Sequence, residues 1–173
     1  MSEPKTREQH GKLEQILFDT FSSELARQHE PDRAIAVRRV LFPTDFSPSS
    51  LHALRYAEEV ARRFDAELLV LFVDFAPSMY DPSQDDVPAS KRALEGAVEV
   101  LRSRGVHASG VYRRGAAADE IVRAAASEQA DLVIMSTHGR TGLTHVLMGS
   151  VAESVVRRAP CPVMTVRGTA MTT

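Results

Sequence analysis

Gly139, Gly149 and Ser150 belong to the stretch of the chain whose residue types best suit chemistry on a bound ligand. Leu132 to Met135 is a continuous apolar run, typical of a strand covered on both faces, and the Gly149-Ser150 turn opens a helix. Helix starts attract anions because their first N–H groups lack partners and carry partial positive charge. Glycine also lets the backbone approach a phosphate closely. We expect the two glycines to bracket the phosphates of a bound nucleotide, with the Ser150 hydroxyl as a further donor.

A simpler interpretation of this stretch stays open on the local pattern alone. Gly139 then ends the strand in an ordinary turn, and Ser150 caps the following helix. The stretch matches neither of the two commonest phosphate loops, GxxxxGK followed by Ser or Thr and GxGxxG. No lysine is therefore expected among the phosphates.

Composition limits the classes of function. The chain has 173 residues, of which 43% are hydrophobic and 25% charged, as in an ordinary globular domain. Its net charge is -2, and its arginines occur in pairs rather than in a run, which argues against a nucleic-acid surface. It has no long apolar run, no signal-peptide pattern and one cysteine, Cys161, so we expect a cytoplasmic protein with no membrane contact. We interpret Cys161 as a buried small apolar residue rather than a reactive thiol.

Strand and helix patterns alternate along most of the chain. Helix Pro48–Phe64 should start at the Ser47 cap and bury Leu51, Leu54, Ala57, Ala61 and Phe64. This alternation predicts a parallel sheet covered by helices on both faces. The strands are predicted at 35–42, 67–73, 106–112, 132–135 and 163–166, and the helices at 48–64, 90–104, 118–128 and 149–158.

Three polar or glycine-containing segments follow strands of this predicted sheet. They are Pro43-Thr44-Asp45, Val73-Asp74 and Ser136–Gly139. Because ligands of such sheets bind beyond the carboxyl ends of the strands, these segments should meet at one edge. Their convergence strengthens the nucleotide hypothesis.

Two segments lie outside this pattern. Residues 5–29 carry apolar residues at helical spacing and predict an amphipathic helix that packs either on its own domain or on a second subunit or another protein. Residues 74–89 contain three prolines and predict a long loop, either a solvated connector or a flap near the ligand. Neither carries a chemical motif.

Two longer motifs resemble the universal stress protein family. They are VLFPTDFS at 40–47 and MSTHGRTGLTHVLMGSVAESVVRRAPCPVMTVR at 135–167. The resemblance covers residues 34–168, leaving an N-terminal extension at 1–33 and a tail at 169–173. It implies a three-layer α/β/α sandwich with a five-stranded, mainly parallel sheet, similar to the Rossmann-like adenine nucleotide α-hydrolase fold, to which this chain adds an N-terminal amphipathic helix.

Many members of that family bind ATP, and the resemblance carries their pattern over to this chain. The pattern is Gly, two residues, Gly, nine residues, Gly, then Ser or Thr, and here it reads Ser136, Gly139, Gly149 and Ser150. Serine thus replaces the first glycine. Its side chain either crowds a ribose or phosphate or adds a hydrogen bond.

The resemblance also implies a role for each site residue. Asp45 would meet the adenosine, unless it only closes an Asx turn, and the Val73 backbone would pair with the adenine edge, unless it is plain core. Arg140 is our own addition as a phosphate contact, with a solvated loop charge as the alternative. Mg²⁺ would be held mainly by phosphate and water oxygens. The remaining residues would shape the adenosine wall (Pro43, Thr44), line the ribose and α-phosphate (Met135, Ser136, Gly139) and bind the β- and γ-phosphates (Gly149, Ser150, Val151).

The family implies an ATP-binding regulatory or stress-response module with little or no turnover. The alternative is a dimeric stress protein that has lost ATP and acts through protein–protein contacts, which the serine at 136 favours. An enzyme of a related adenine-binding fold is disfavoured because its motifs are missing, although slow hydrolysis stays open. The family also implies a homodimer, which would cover the short last strand Val163–Val166.

Overall fold

The computed structural model describes residues 15–16, 18–25, 36–75, 89–138 and 148–167. The chain divides into two units, Met1–Ile35 and Ala36–Thr173. In the first unit, residues 15–16 and 18–25 are helical (α1), inside the predicted helix at 5–29, whose other residues lie outside the described ranges. Residues 76–88 of the loop predicted at 74–89, and the tail predicted at 169–173, also lie outside the described ranges.

The described residues of the second unit form a five-stranded parallel sheet flanked by four helices, as expected. The sheet order is β3-β2-β1-β4-β5, and every pairing is parallel. The elements in chain order are β1 (Arg39–Thr44), α2 (Pro48–Phe64), β2 (Glu67–Asp74), α3 (Ala89–Ser103), β3 (Ala108–Arg114), α4 (Ala117–Ser127), β4 (Leu132–Ser136), α5 (Ser150–Arg158) and β5 (Val163–Val166).

Two of the predicted strands are shifted along the chain. β1 begins at Arg39 rather than at residue 35, and it continues through Pro43, which the sequence pattern assigns to the following loop. Proline is tolerated because β1 pairs with β4 only as far as Leu41, so no ladder bond to β4 is missing at position 43. β3 begins at Ala108 because Val106 instead closes the end of α3, where its N–H donates to the Leu101 carbonyl.

Helix α2 has the predicted bounds, and its predicted buried face is confirmed for Ala57 and Ala61, with Leu54 packed against the core, but not for Leu51 and Phe64. Ser47 caps it, accepting a hydrogen bond from the Ser50 N–H at 3.2 Å, and Pro48 occupies the first helical position. The buried residues are small: Ser50, Ala53, Ala57 and Ala61. Leu51 and Phe64, predicted as core, are 53% and 50% exposed. Small residues allow the helix to lie close to the sheet.

Each face of the sheet has its own apolar core, which completes the three-layer sandwich. On one face, α2 and α3 pack Ala57, Leu94 and Val98 against Phe42 and Val70. On the other, α4 and α5 cover the sheet in the same way, with Ile121, Ala124 and Val155 against Leu41 and Leu71. Among the described residues, no helix is both long and apolar enough to cross a bilayer.

Cys161 is half-buried and packs against the α4–α5 core. Burial raises the pKa of its thiol, the nearby Asp131 carboxylate raises it further, and a backbone hydrogen bond from Val133 partly offsets both effects. The thiol therefore stays protonated near neutral pH, as expected of a packing residue rather than a nucleophile.

Candidate functional site

A cavity of about 380 Å³ lies at the carboxyl edge of the sheet. It is bordered by the residues that follow β1 and β4, by the end of β2 and by the start of α5. From β1 the chain builds the sheet outward to β2 and β3, and then crosses back to place β4 and β5 on the other side. The cavity thus occupies the switch point, where open α/β sheets bind ligands.

Most residues predicted for the site border this cavity. Gly139 and Arg140 lie outside the described residues, so their predicted roles stay predictions. The other predicted residues all line the cavity: Pro43, Thr44, Asp45, Val73, Met135, Ser136, Gly149, Ser150 and Val151.

A chain of hydrogen bonds holds the loop after β1. Phe46 N–H donates to Thr44 Oγ1 at 3.0 Å, and Ser50 Oγ donates to the Ser47 carbonyl at 2.9 Å. Because the Ser50 proton is used there, Thr44 must be the donor in the 3.0 Å bond between the two hydroxyls. Phe46 adopts a φ of 59°, unfavourable for an aromatic residue, and its ring stacks on Phe72 with centroids 5.1 Å apart. The loop is therefore preformed beside the cavity.

Asp45 shapes this loop as well as lining the cavity. Its Oδ1 accepts a hydrogen bond from the Ser47 N–H at 3.0 Å, which closes an Asx turn just before α2. The structural role that we weighed for Asp45 is therefore present in the molecule. The side chain is half-buried and borders the cavity, so this turn does not preclude a ligand contact.

The end of β4 is fixed by contacts within the chain. Ser136 Oγ donates to the His138 carbonyl at 2.7 Å, and Thr137 Oγ1 lies 2.8 Å from His138 Nδ1. The buried Thr137 also donates its N–H to the Val166 carbonyl of β5 at 2.9 Å. The Ser136 hydroxyl is thus turned onto its own backbone.

The start of α5 approaches the end of β4 closely. Gly149 N–H donates to the Thr137 carbonyl at 2.8 Å, and a Cβ at position 149 would lie 3.1 Å from that same oxygen. Packing alone therefore favours glycine here, a reason that the sequence did not reveal. The interpretation of Ser150 as the cap is wrong, since Gly149 is the N-cap and supplies no side-chain hydrogen bond.

Sequence reasoning missed several residues that line the cavity. Thr137 and His138 are the two residues between Ser136 and Gly139 in the motif. Their place inside the motif is the signal by which the sequence could have identified them as lining residues. Ala117 and Ile121 come from α4, which carried no motif. Asp45 and His138 are the only ionisable side chains among the described lining residues.

A larger cleft of about 930 Å³ lies at the opposite, amino-terminal edge of the sheet. Its polar groups bond mainly to one another. Ser109 Oγ donates to Glu67 Oε1 at 2.6 Å, and Arg102 Nε donates to the Ala108 carbonyl at 2.8 Å. Within the described ranges, no three His, Cys, Asp or Glu side chains are grouped in a way that could hold a metal ion. The carboxyl-edge cavity is therefore the stronger candidate.

Comparisons with known proteins agree with this fold and motif. Residues 36–167 match the model of the universal stress protein family. Universal stress protein MJ0531 of Methanocaldococcus jannaschii is 34% identical over 139 residues, covering 75% of this chain and 82% of that protein. A Thermus aquaticus universal stress protein is 33% identical over 142 residues, covering 75% and 98%.

Solved structures give the same result. A universal stress protein in complex with cAMP superimposes with a TM-score of 0.65 at 26% identity, covering 78% of this chain and 99% of that one. The match to the family model spans the whole sheet and both sides of the cavity. This chain belongs to the universal stress protein family.

Proposed function

We propose that this chain binds an adenine nucleotide in the carboxyl-edge cavity. The observation that carries the proposal is the uncapped start of α5. The N–H groups of Ser150, Val151 and Ala152 have no acceptor within the helix, the N-cap Gly149 offers them no side chain, and all three residues border the cavity. Such a helix start favours a phosphate group. The complex of a 26% identical family member with cAMP supports the same ligand class.

The order of elements along the edge suggests how the nucleotide lies. Val73 is the second-last residue of β2, Asp45 follows β1, Ser136 ends β4, and Ser150 begins α5. Since these strands are neighbours in that order, an extended nucleotide would place adenine near Val73, its sugar near Asp45 and Ser136, and its phosphates at α5. The half-buried Val73 suits the apolar face of a purine.

ATP with Mg²⁺ is the ligand that we propose within this class. The described lining offers neutral phosphate donors, namely backbone N–H groups and the Ser150 hydroxyl, but neither lysine nor arginine. A triphosphate therefore needs its charge balanced by a divalent ion, which prefers oxygen ligands from phosphate and water. The cavity volume of about 380 Å³ lies within the range of small-molecule sites.

We further propose a regulatory role with little or no turnover. Fast phosphoryl transfer relies on cationic side chains and on a residue that positions the attacking group. The described lining supplies one carboxylate, Asp45, and one imidazole, His138, and the Asp45 carboxylate already closes a turn. This set suits retention of a nucleotide better than its rapid hydrolysis.

Calorimetric titration of the purified protein, freed of any co-purified nucleotide, tests the proposal. ATP, AMP, cAMP and GTP are titrated with and without Mg²⁺, and we expect the adenine nucleotides to bind and GTP to bind more weakly. Ser150→Ala should weaken ATP binding about 2- to 10-fold, the value of one hydrogen bond. Ser103→Ala is the matched control, because Ser103 is exposed in α3, outside the cavity lining.

Absence of binding by every nucleotide would overturn the proposal. The alternative of a dimeric protein that acts through protein contacts would then be preferred. An equal loss of affinity in Ser150→Ala and Ser103→Ala would instead show that the ligand makes no specific contact with the Ser150 hydroxyl at the start of α5. The ATP-to-AMP affinity ratio in Mg²⁺ measures how much the additional phosphates contribute.

A further inference from the structure

The Ser136 hydroxyl has a defined hydrogen-bonding direction. Its oxygen lies 2.7 Å from the His138 carbonyl, and a carbonyl oxygen can only accept. Serine has one hydroxyl proton, so that proton is committed to His138. Whatever else meets the Ser136 oxygen meets an acceptor, so a hydrogen bond that this serine adds to a ligand must be donated by the ligand.

An acceptor at this position distinguishes the parts of a nucleotide. Phosphate oxygens are themselves acceptors, so they are repelled by the Ser136 oxygen and favoured at the N–H groups of α5. The ribose hydroxyls are donors and complement it. Ser136 ends β4, between the Asp45 loop after β1 and the α5 start, where the sugar of the proposed nucleotide lies.

We propose that Ser136 is a specificity-determining residue that favours ribonucleotides over deoxynucleotides by accepting a hydrogen bond from a ribose hydroxyl. The inference rests on the proposed nucleotide function and deepens it. It concerns a residue at which this chain departs from the glycine of the family pattern. The bond to His138 is local and holds the oxygen in place, so little entropy is lost when the ligand hydroxyl meets it.

The wild-type protein provides the first test. AMP, 2′-deoxyAMP and 3′-deoxyAMP are titrated under one set of buffer conditions, so that base and phosphate are constant and only one hydroxyl differs. We expect at least one deoxy analogue to bind about 2- to 10-fold more weakly than AMP, the cost of one hydrogen bond. Equal affinity for all three ligands would overturn the inference while leaving nucleotide binding intact.

Two variants assign the effect to Ser136. Ser136→Ala removes the hydroxyl but keeps the Cβ, and it should reduce the AMP-to-deoxyAMP affinity ratio to about one. Ser136→Thr keeps a hydroxyl and should retain the preference, provided that its thermal unfolding is cooperative. Should Ser136→Ala not fold, an unchanged ratio in a folded Ser136→Gly protein would overturn the inference, and a ratio near one would support it.

Ser150→Ala is the matched control, because it makes the same chemical change on the phosphate side of the same cavity. Because AMP lacks the β- and γ-phosphates assigned to Ser150, this change should leave the affinity ratio of AMP to its deoxy analogues unchanged. A reduced ratio in Ser150→Ala together with an unchanged ratio in Ser136→Ala would overturn the inference. If no nucleotide binds the wild type, the proposed function and this inference fail together.

Discussion

At the scale of single residues, Asp45 combines a loop contact with a place in the cavity wall. Its Oδ1 accepts from the Ser47 N–H at 3.0 Å, directly before the N-cap turn of α2. Alanine at this position removes both the turn acceptor and the charge, so it cannot separate the two roles. Asparagine keeps an oxygen that can accept from Ser47 and removes only the charge.

We therefore expect Asp45→Ala and Asp45→Asn to differ in stability but not in binding. Asp45→Ala should lower the free energy of unfolding by about 1 kcal/mol, and Asp45→Asn by much less. Both should weaken ATP binding, by roughly 1–3 kcal/mol for a lost charge-assisted hydrogen bond. Urea unfolding and calorimetry give the two quantities. Unchanged affinity in both variants would show that Asp45 closes the turn before α2 but does not contact the ligand.

At the scale of elements, the contact between α5 and the end of β4 determines the shape of this end of the cavity. The Thr137 carbonyl accepts from Gly149 N–H, while the Thr137 N–H donates to Val166. A single buried residue thus joins α5, β4 and β5. The carbonyl has little freedom to move away from an added side chain, because movement would break its bond to Gly149.

Gly149→Ala tests this packing. Its Cβ would lie 3.1 Å from the Thr137 oxygen, so we expect a loss of about 1 kcal/mol in the free energy of unfolding from overpacking. Gly96→Ala is the control, since Gly96 lies inside α3 and an added Cβ there would meet no atom within 4 Å, so this variant should gain roughly 0.5–1 kcal/mol. Chemical denaturation measures both. A gain at position 149 equal to that at 96 would contradict the close approach.

At the scale of the whole molecule, β5 is one of the two edge strands of the described sheet. The carbonyls of Pro162 and Val166 accept from Val133 and Thr137 on the β4 side. Backbone direction alternates along a strand, so Val163 and Thr165 present their N–H and C=O groups to the open edge. An edge strand of this kind can pair with a second copy.

We expect a homodimer that pairs through β5, and Thr165→Pro should shift it toward monomer. Proline at 165 removes an outward N–H and spares the inward bonds of β5 to β4. Thr165→Val keeps the N–H and should remain dimeric. Sedimentation velocity over a range of concentrations distinguishes the species. A wild-type protein that stays monomeric at high concentration would refute this prediction.

The sequence by itself determined the alternating strand and helix order, because apolar periodicity and turn residues are local signals. It also indicated the edge at which the candidate site lies, since parallel strands align their carboxyl ends. Helix α2 shows the limit of this reasoning. Its bounds followed from Ser47 and Pro48, yet Leu51 and Phe64 are half-exposed because the sheet selected the small-residue face of the helix.

Only the tertiary structure decided which contacts the site residues make. The start of β1 at Arg39 depends on its pairing with Glu67 of β2, and the packing reason for Gly149 depends on a carbonyl from another strand. The direction of the Ser136 hydroxyl depends on how the chain turns after β4. Motif spacing identifies the residues near a ligand, but hydrogen-bond directions and close approaches arise from folded geometry, which spacing does not encode.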